Sequence, residues 1–264
     1  METPVTPPLH ETAKISLKPS TLLAPVPVVL ISCQGTPGGG KEKPNLLTIA
    51  WAGTINSEPP MVSISVRKSR YSYDQICQSR EFVINLVDQQ LLRATDFCGV
   101  RSGADVDKFT ECQLTAVPAE HMTYAPAVAE SPLTMSCSVT QIIPLESHDV
   151  FIARIDAVQV RRDLLDASNR LRLDRANLVA YAHGNYFSLG EQLGFFGYSV
   201  ARPEVLKKRM KASVDRSPGR TKSPSRKRPD RPLNTNQQTR TSQPTQPMQD
   251  SRQTKYQKKN RPGT

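Results

Sequence analysis

The chain has 264 residues and a formal net charge of +11, but the charge is not spread evenly. Residues 1–201 carry 17 basic and 20 acidic side chains, whereas residues 202–264 carry 18 basic and 4 acidic. That asymmetry excludes one uniformly basic nucleic-acid-binding domain and predicts a mildly acidic globular body followed by a basic tail.

In chain order, residues 1–17 read as an N-terminal arm. Met1 to Leu9 is rich in Pro and Thr and lacks the basic-then-apolar plan of a secretory leader, so none is expected. The longest apolar run, Leu22 to Cys33, is short and holds Pro25 and Pro27, which excludes a membrane span and predicts no membrane partner. Val26 to Cys33 reads as a buried strand and Asn45 to Ala52 as a second. Met61 to Arg67 alternates, with Val62, Ile64 and Val66 on one face and Ser63, Ser65 and Arg67 on the other. Arg70 to Arg80 reads as a helix with Ser72 at its N-cap and Gln75 completing a capping box. Glu81 to Val87 is the next strand. Asp88 to Phe97 reads as a helix that stops at Gly99. The stretch from Arg101 to Ala129 is irregular. Thr134 to Ile143 and Asp149 to Val160 read as long strands, and Asn177 to Ala182 as a short one. Many strands, few helices and no regular βα alternation predict a mainly β, antiparallel barrel.

Arg202 to Ala212 reads as a helical extension of the body. Beyond it, eight prolines after Ala201 and abundant Ser, Thr, Gln, Lys and Arg leave too little apolar surface to offset ordering, so residues 204–264 are expected to be a disordered tail. The body, residues 18–203, is large enough to fold without disulfides. Five cysteines with no CxxC fit a reducing, cytoplasmic setting.

Two motifs resemble sites without the chemistry. Gly35 to Lys41 almost spells a phosphate-cradling loop, but Glu42 stands where a Ser or Thr should hold magnesium, and a strand follows instead of a helix. The four histidines show no metal-ligand spacing, and no metal is expected. No nucleophile-elbow signature is present.

The stretch from Asn45 to Ser72 carries the chemistry. It sets two strands with small side chains beside a helix start that bears Arg70 and Ser72. Small residues admit a flat ring against strand backbone, and a helix N-terminus with an arginine suits a phosphate. Flavin mononucleotide (FMN) has that shape. The same residues also fit a plain scaffold in which Ser63 and Ser65 face water, Ser72 only caps, and Trp51 is ordinary core.

Six stretches in order then carry a resemblance. They are NLLTIAWAG at 45–53, EPPMVSISVRKSRYS at 58–72, EFVINL at 81–86, CGVRSGADVDKF at 98–109, HDVFIARI at 148–155 and AYAHGNYFSLGEQLGFFGYSV at 180–200. The body resembles the flavin reductase-like, FMN-binding split-barrel family, in its flavoredoxin-like branch. The resemblance implies a Greek-key split β-barrel with a few flanking helices, working as a homodimer. It implies that Asn45 belongs to the cofactor site and that Thr48, Ala50 and Trp51 lie along the flavin ring. Ser63, Ile64 and Ser65 would meet the ring and ribityl chain, and Arg70 and Ser72 the phosphate. Lys108 would approach the flavin, with the other subunit as one source. His148 and the His183–Tyr186 segment would lie near the flavin or nicotinamide.

The implied activity is hydride transfer from NAD(P)H to flavin, with free flavin or a redox protein as electron acceptor. No acid–base residue is required for it, and His148 is the one candidate for a direct part. The alternative is an electron carrier that keeps FMN bound. The tail admits two readings, a solvated appendage, which is the favoured one, and nonspecific binding to nucleic acid or an anionic surface. Its SPSRKRP run at 223–229 also has the composition of a nuclear import signal.

Overall fold

The alternation of Met61–Val66 is realised as a strand whose Val62, Ile64 and Val66 are buried, in a computed structural model that describes residues 14–214. The strands are β1 (Val26–Pro27), β2 (Val29–Cys33), β3 (Asn45–Ile49), β4 (Ala52–Asn56), β5 (Met61–Val66) and β6 (Glu81–Leu86), then β7 (Ala116–Pro118), β8 (Pro126–Val128), β9 (Leu133–Pro144), β10 (Asp149–Val160), β11 (Val179–Ala182) and β12 (Asn185–Ser188). The helices are α1 (Tyr71–Ser79), α2 (Leu92–Val100), α3 (Lys108–Glu111) and α4 (Pro203–Val214). The arm before residue 14 and the tail expected to be disordered lie outside the described residues, apart from α4, which realises the helix expected from Arg202.

Seven strands form one sheet in the order β3-β2-β6-β9-β10-β5-β4, every pair antiparallel. The sheet curls so that one set of alternating residues, including Ile31, Leu47, Ile64, Ile84 and Phe151, shares a single core closed by Ile76 of α1. Each such side chain stabilises the fold by about 1.5–3 kcal/mol when fully buried. The other face of β2 and β3 presents Leu30 and Leu46 to a second core with Cys98 of α2 and Phe109 of α3. These helices therefore lie against β3, and this placement builds one wall of the site. β1, β11 and β12 form a small separate sheet, and β7 pairs with β8. This is the mainly β barrel with flanking helices that the strand pattern predicts.

Several boundaries differ from expectation. The strand read over 26–33 breaks at Val28: Pro27 has no N–H for the ladder, and β1 pairs with β11 while β2 joins the barrel. The strand read over 45–52 breaks at Ala50–Trp51, and β4 continues to Asn56. β3 and β5 are consequently not neighbouring strands, because β4 supplies the hydrogen-bonded partner of β5.

The expected capping box is absent. Arg70 occupies the N-cap of α1 without a side-chain cap, and Ser72 is buried in the first turn. Gln75 instead donates to the carbonyls of Lys41 and Lys43, pinning the Gly-rich loop. At the second helix the Asp88 carboxylate accepts from the Gln90 and Leu91 N–H groups, yet α2 starts only at Leu92 and runs through Gly99. Gly99 sits inside the helix because a Cβ there would press on Thr48 of β3 at 3.3 Å. The irregular stretch 101–129 holds α3, β7 and β8. β12 was not expected. It follows a tight turn with His183 at φ 47° and Gly184 at φ 85°, the left-handed pair that a two-residue hairpin needs.

Candidate functional site

The break at Ala50–Trp51 opens a cleft of about 340 Å³ between β3, the end of β5, α2 and the β11–β12 hairpin. Thr48, Ala50 and Trp51 line it from the β3 side, and Ser65 and Arg67 from β5. Gly99 and Val100 come from α2, His148 from the start of β10, and Tyr181 and Tyr186 from the hairpin. The Ser65 N–H donates to the Trp51 carbonyl at 2.9 Å, which ties the β3–β4 link to β5. Thr48 is oriented by donating its hydroxyl to the Thr95 carbonyl of α2. At the far wall Tyr186 donates to Asp96 at 3.0 Å; burial, then that bond, pushes its phenol up to about 12.

A second hollow of about 270 Å³ shares Leu47, Arg67, Arg70 and Val100 with the cleft, so the two adjoin. Its lining adds Ser69, Tyr71 and Ser72 at the N-terminus of α1, together with Asn45, Arg101 and Lys108. Among the described residues, four cationic side chains and no carboxylate line this lobe. Arg70 donates to the Gly99 carbonyl at 3.3 Å, bracing its guanidinium across the lobe. Asn45 donates to Ser72 Oγ at 2.7 Å. Gly103 lies so close to Asn45 that any Cβ there would run into the carboxamide.

Of the residues expected in the site, Thr48, Ala50, Trp51, Ser65, Arg70 and His148 meet in the cleft, and Asn45, Arg70, Ser72 and Lys108 in the lobe. Ser63 and Ile64 line neither hollow. The Ile64 side chain is fully buried in the barrel core, so it offers a ligand no side-chain contact. Ser72 has its hydroxyl engaged by Asn45, which makes both primarily a clasp between β3 and α1. Lys108 does not reach out to another subunit: it is 3% exposed, and Nζ donates to the carbonyls of Leu46 and Cys98 at 2.8 Å each. Burial holds its pKa below the ordinary lysine value. Its neighbour Asp107 accepts from the Thr110 N–H as the cap of α3, and is not a surface partner for Lys108.

His148 is half-buried, with Nδ1 2.8 Å from the Ser147 hydroxyl. Burial, followed by the charges of Arg67 and Arg70, lowers its pKa. Beside it Asp149 accepts from Tyr73 Oη at 2.6 Å and lies 3.3 Å from Lys68 Nζ, so α1 and the loop before it are bolted to β10. Tyr186 enters the cleft as expected for the 183–186 segment, whereas His183 faces a neighbouring hollow with Leu22, Leu23 and Trp51. Arg67, Asp96, Arg101 and Tyr181 were not among the expected site residues. Arg67 had a signal as the polar-face neighbour of Ser65, and Arg101 and Tyr181 lie within the family-like stretches 98–109 and 180–200; Asp96 had none.

The barrel and its cleft define a class: a split barrel that offers a cleft adjoining a lobe lined by four cationic side chains. A family model described as "Flavin reductase like domain" matches residues 22–190. The chain belongs to the flavin reductase-like family. The flavoredoxin of Desulfovibrio vulgaris (Miyazaki F) is similar at 31% identity with a TM-score of 0.64, covering 69% of this chain and 97% of that one. The flavoredoxin from Methanosarcina acetivorans shares the fold at 24% identity and a TM-score of 0.64, covering 72% of this chain and all of that one. A protein of Archaeoglobus fulgidus is 28% identical over 116 residues, which span 44% of this chain and 65% of the relative, just under two thirds of its length. Among the described residues no helix is long and apolar enough to cross a membrane.

Proposed function

We propose that the chain binds FMN in the cleft and lobe and works as an NAD(P)H-dependent flavin oxidoreductase. The observation that carries this is a cleft sharing its wall with a lobe of four cations and no carboxylate. A heterocycle bearing one terminal phosphate needs that arrangement, and a neutral ring does not. Trp51 and Tyr181 supply apolar surface for a ring, while Thr48 and Ser65 supply polar edges. Arg67, Arg70 and Arg101, with the α1 N-terminus, attract a phosphate; a helix end adds about 0.3–1 kcal/mol per charge, up to ~2 when partly buried. Bound FMN supplies the chemistry, accepting hydride from a nicotinamide. The chain's own residues hold, orient and exclude water, and Lys108 stiffens the lobe from behind. His148, depressed in pKa and beside Arg67 and Arg70, is suited to contact a ligand as a neutral imidazole.

The test is spectroscopic. The purified chain takes up FMN with a shifted visible spectrum, and anaerobic NADH or NADPH bleaches it. No uptake of FMN overturns the proposal. FMN that binds tightly yet is not reduced by either nucleotide favours the second reading, a flavoredoxin-like electron carrier served by a protein partner. The 31% identity to the Desulfovibrio flavoredoxin supports that reading. A homodimer is also proposed, supported by the nearly full exposure of Leu193, Phe196 and Val200 at 90%, 105% and 87%. A monomer at working concentration in sedimentation would overturn it.

A further inference from the structure

Two cysteines that the proposed chemistry does not use stand directly behind the lobe. Cys98 lies inside α2 and is fully buried, and Cys112 is half-buried at the C-cap of α3. Their Sγ atoms are 3.9 Å apart. Cys33 and Cys137 are also buried, but Cys33 donates to Gln75 and Cys137 to the Met135 carbonyl. The Cys98–Cys112 pair is tied to the site by two short links. The Cys98 carbonyl accepts from Lys108 Nζ, and Gly99 and Val100, the next two residues, line the cleft.

We propose that Cys98 and Cys112 are a reversible redox modification site, a dithiol that closes to a disulfide and loosens the anion lobe as it does so. A bond requires the sulfurs to approach from 3.9 Å to about 2.05 Å. Cys98 sits in a nine-residue helix packed on β3, whereas Cys112 ends a four-residue helix and precedes Gln113, a non-glycine residue at φ 54°. The movement therefore falls on α3, and the first residue of α3 is Lys108. Displacing Lys108 breaks its grip on the Leu46 and Cys98 carbonyls and moves a cation out of the lobe.

The exposure of the two sulfurs assigns their roles. Half-buried Cys112 meets the reagent and buried Cys98 resolves the intermediate from inside. With a small disulfide such as oxidised glutathione, the Cys112 thiolate attacks one sulfur, breaks the S–S bond and releases one glutathione thiol. Cys98 then loses its proton and attacks Cys112 Sγ, breaking the mixed disulfide and releasing the second glutathione. Two protein thiols are oxidised and one small disulfide is reduced to two thiols. Burial raises both protein thiols, Cys98 up to about 12, with Lys108 opposing the rise, so closure accelerates as pH increases.

The bond itself is independent of flavin; only its effect on affinity rests on FMN binding in this cleft. The full chain is incubated with oxidised glutathione, digested without reductant and analysed by mass spectrometry. The expected result is a cross-link between the peptides holding Cys98 and Cys112, lost on treatment with dithiothreitol and absent from C112S. Glutathione that remains on Cys112 without closure, or a cross-link between other cysteines, overturns the proposal. Differential alkylation of the wild-type chain gives the same answer if C112S does not fold. For the second half, FMN is titrated into reduced and oxidised protein. The oxidised wild type is expected to bind about fivefold more weakly or worse, the low end of ordinary coupling between sites, and C112S treated alike is expected not to change. A cross-linked protein with unaltered FMN affinity overturns the coupling to the lobe. Absence of FMN binding in the reduced protein overturns the flavin assignment and leaves the cross-link test decisive.

Discussion

The Asn45 amide donates to the Ser72 hydroxyl at 2.7 Å, tying the first residue of β3 to the second residue of α1. Gly103 closes against this pair with no room for a Cβ. Gly103→Ala therefore has to break the clasp or shift the 101–107 loop, and overpacking of this kind costs about 1–3 kcal/mol. The expected fall in Tm is roughly 2–4 °C per kcal/mol for a body of this size. Gly53→Ala is the matched control, since nothing lies within 4 Å of a Cβ there. Equal melting of the two variants would remove the clasp from the account.

Arg70 spans the lobe and is braced on the Gly99 carbonyl. A hydrogen bond to a charged group contributes about 1.5–3 kcal/mol. Arg70→Ala is then expected to weaken FMN binding roughly 10- to 100-fold. Riboflavin, which has no phosphate, is expected to bind wild type and variant alike. Equal losses for both ligands would place the phosphate elsewhere.

Trp51 is the only tryptophan in the chain and lines the cleft at 38% exposure. Its fluorescence is consequently a clean report on occupancy. FMN is expected to quench it with the same midpoint as the visible spectral change, and Trp51→Phe is expected to abolish the emission signal while leaving the visible one. An emission that FMN does not alter would mean the ring binds away from Trp51.

Lys108 satisfies two carbonyls from inside the protein. Lys108→Met keeps most of the side-chain volume but leaves both carbonyls without their donor, at about 1–3 kcal/mol for each buried group. Denaturant unfolding should show a loss of roughly 2–5 kcal/mol. A loss under 1 kcal/mol, at about the scale of a surface change, would show that water replaces the ammonium.

The depressed pKa of His148 has a definite sign for stability. Its contribution is fully present above the ordinary histidine value and is lost as pH falls below that value, because the unfolded chain binds the proton first. Unfolding free energy should therefore decline from neutral pH toward pH 5, the range in which histidine titrates, and His148→Gln should flatten that decline. An NMR titration midpoint for His148 at or above the ordinary value would reverse the sign.

The strands whose inner face alternates or is continuously apolar were legible from sequence. β5, β6, β9 and β10 lie where the pattern places them, with β10 matching to the residue. What escaped depends on residues distant in sequence. The Asn45–Ala52 stretch reads equally well straight or bent, and the bend at Ala50–Trp51 becomes visible only once β4 is seen to pair with β5. A serine near a helix start can cap or be captured, and Asn45, 27 residues away, captures Ser72. Lys108 follows an aspartate and looks solvated, but two carbonyls from other elements draw it inside. For Ile64 the alternation already pointed into the core, and the side chain obeys it; the family likeness placed the residue in the site. Asp96 of α2 carries no local signal, and Tyr181, inside the family-like stretch 180–200, comes to Trp51 only once the small sheet docks on the barrel.

β3 and β4 are separated in the chain by Ala50 and Trp51 alone, yet they stand at the two ends of the seven-strand order. The barrel is thus a hoop fastened by a two-residue buckle, and the cleft is the gap at that buckle. A molecule seated there would act as a keystone, pressing at once on the β3 edge and on the end of β5, the strand next to the other edge. Occupancy and rigidity of the hoop would then rise together, so that amide exchange in β3 and at the end of β5 would report binding as directly as any colour change.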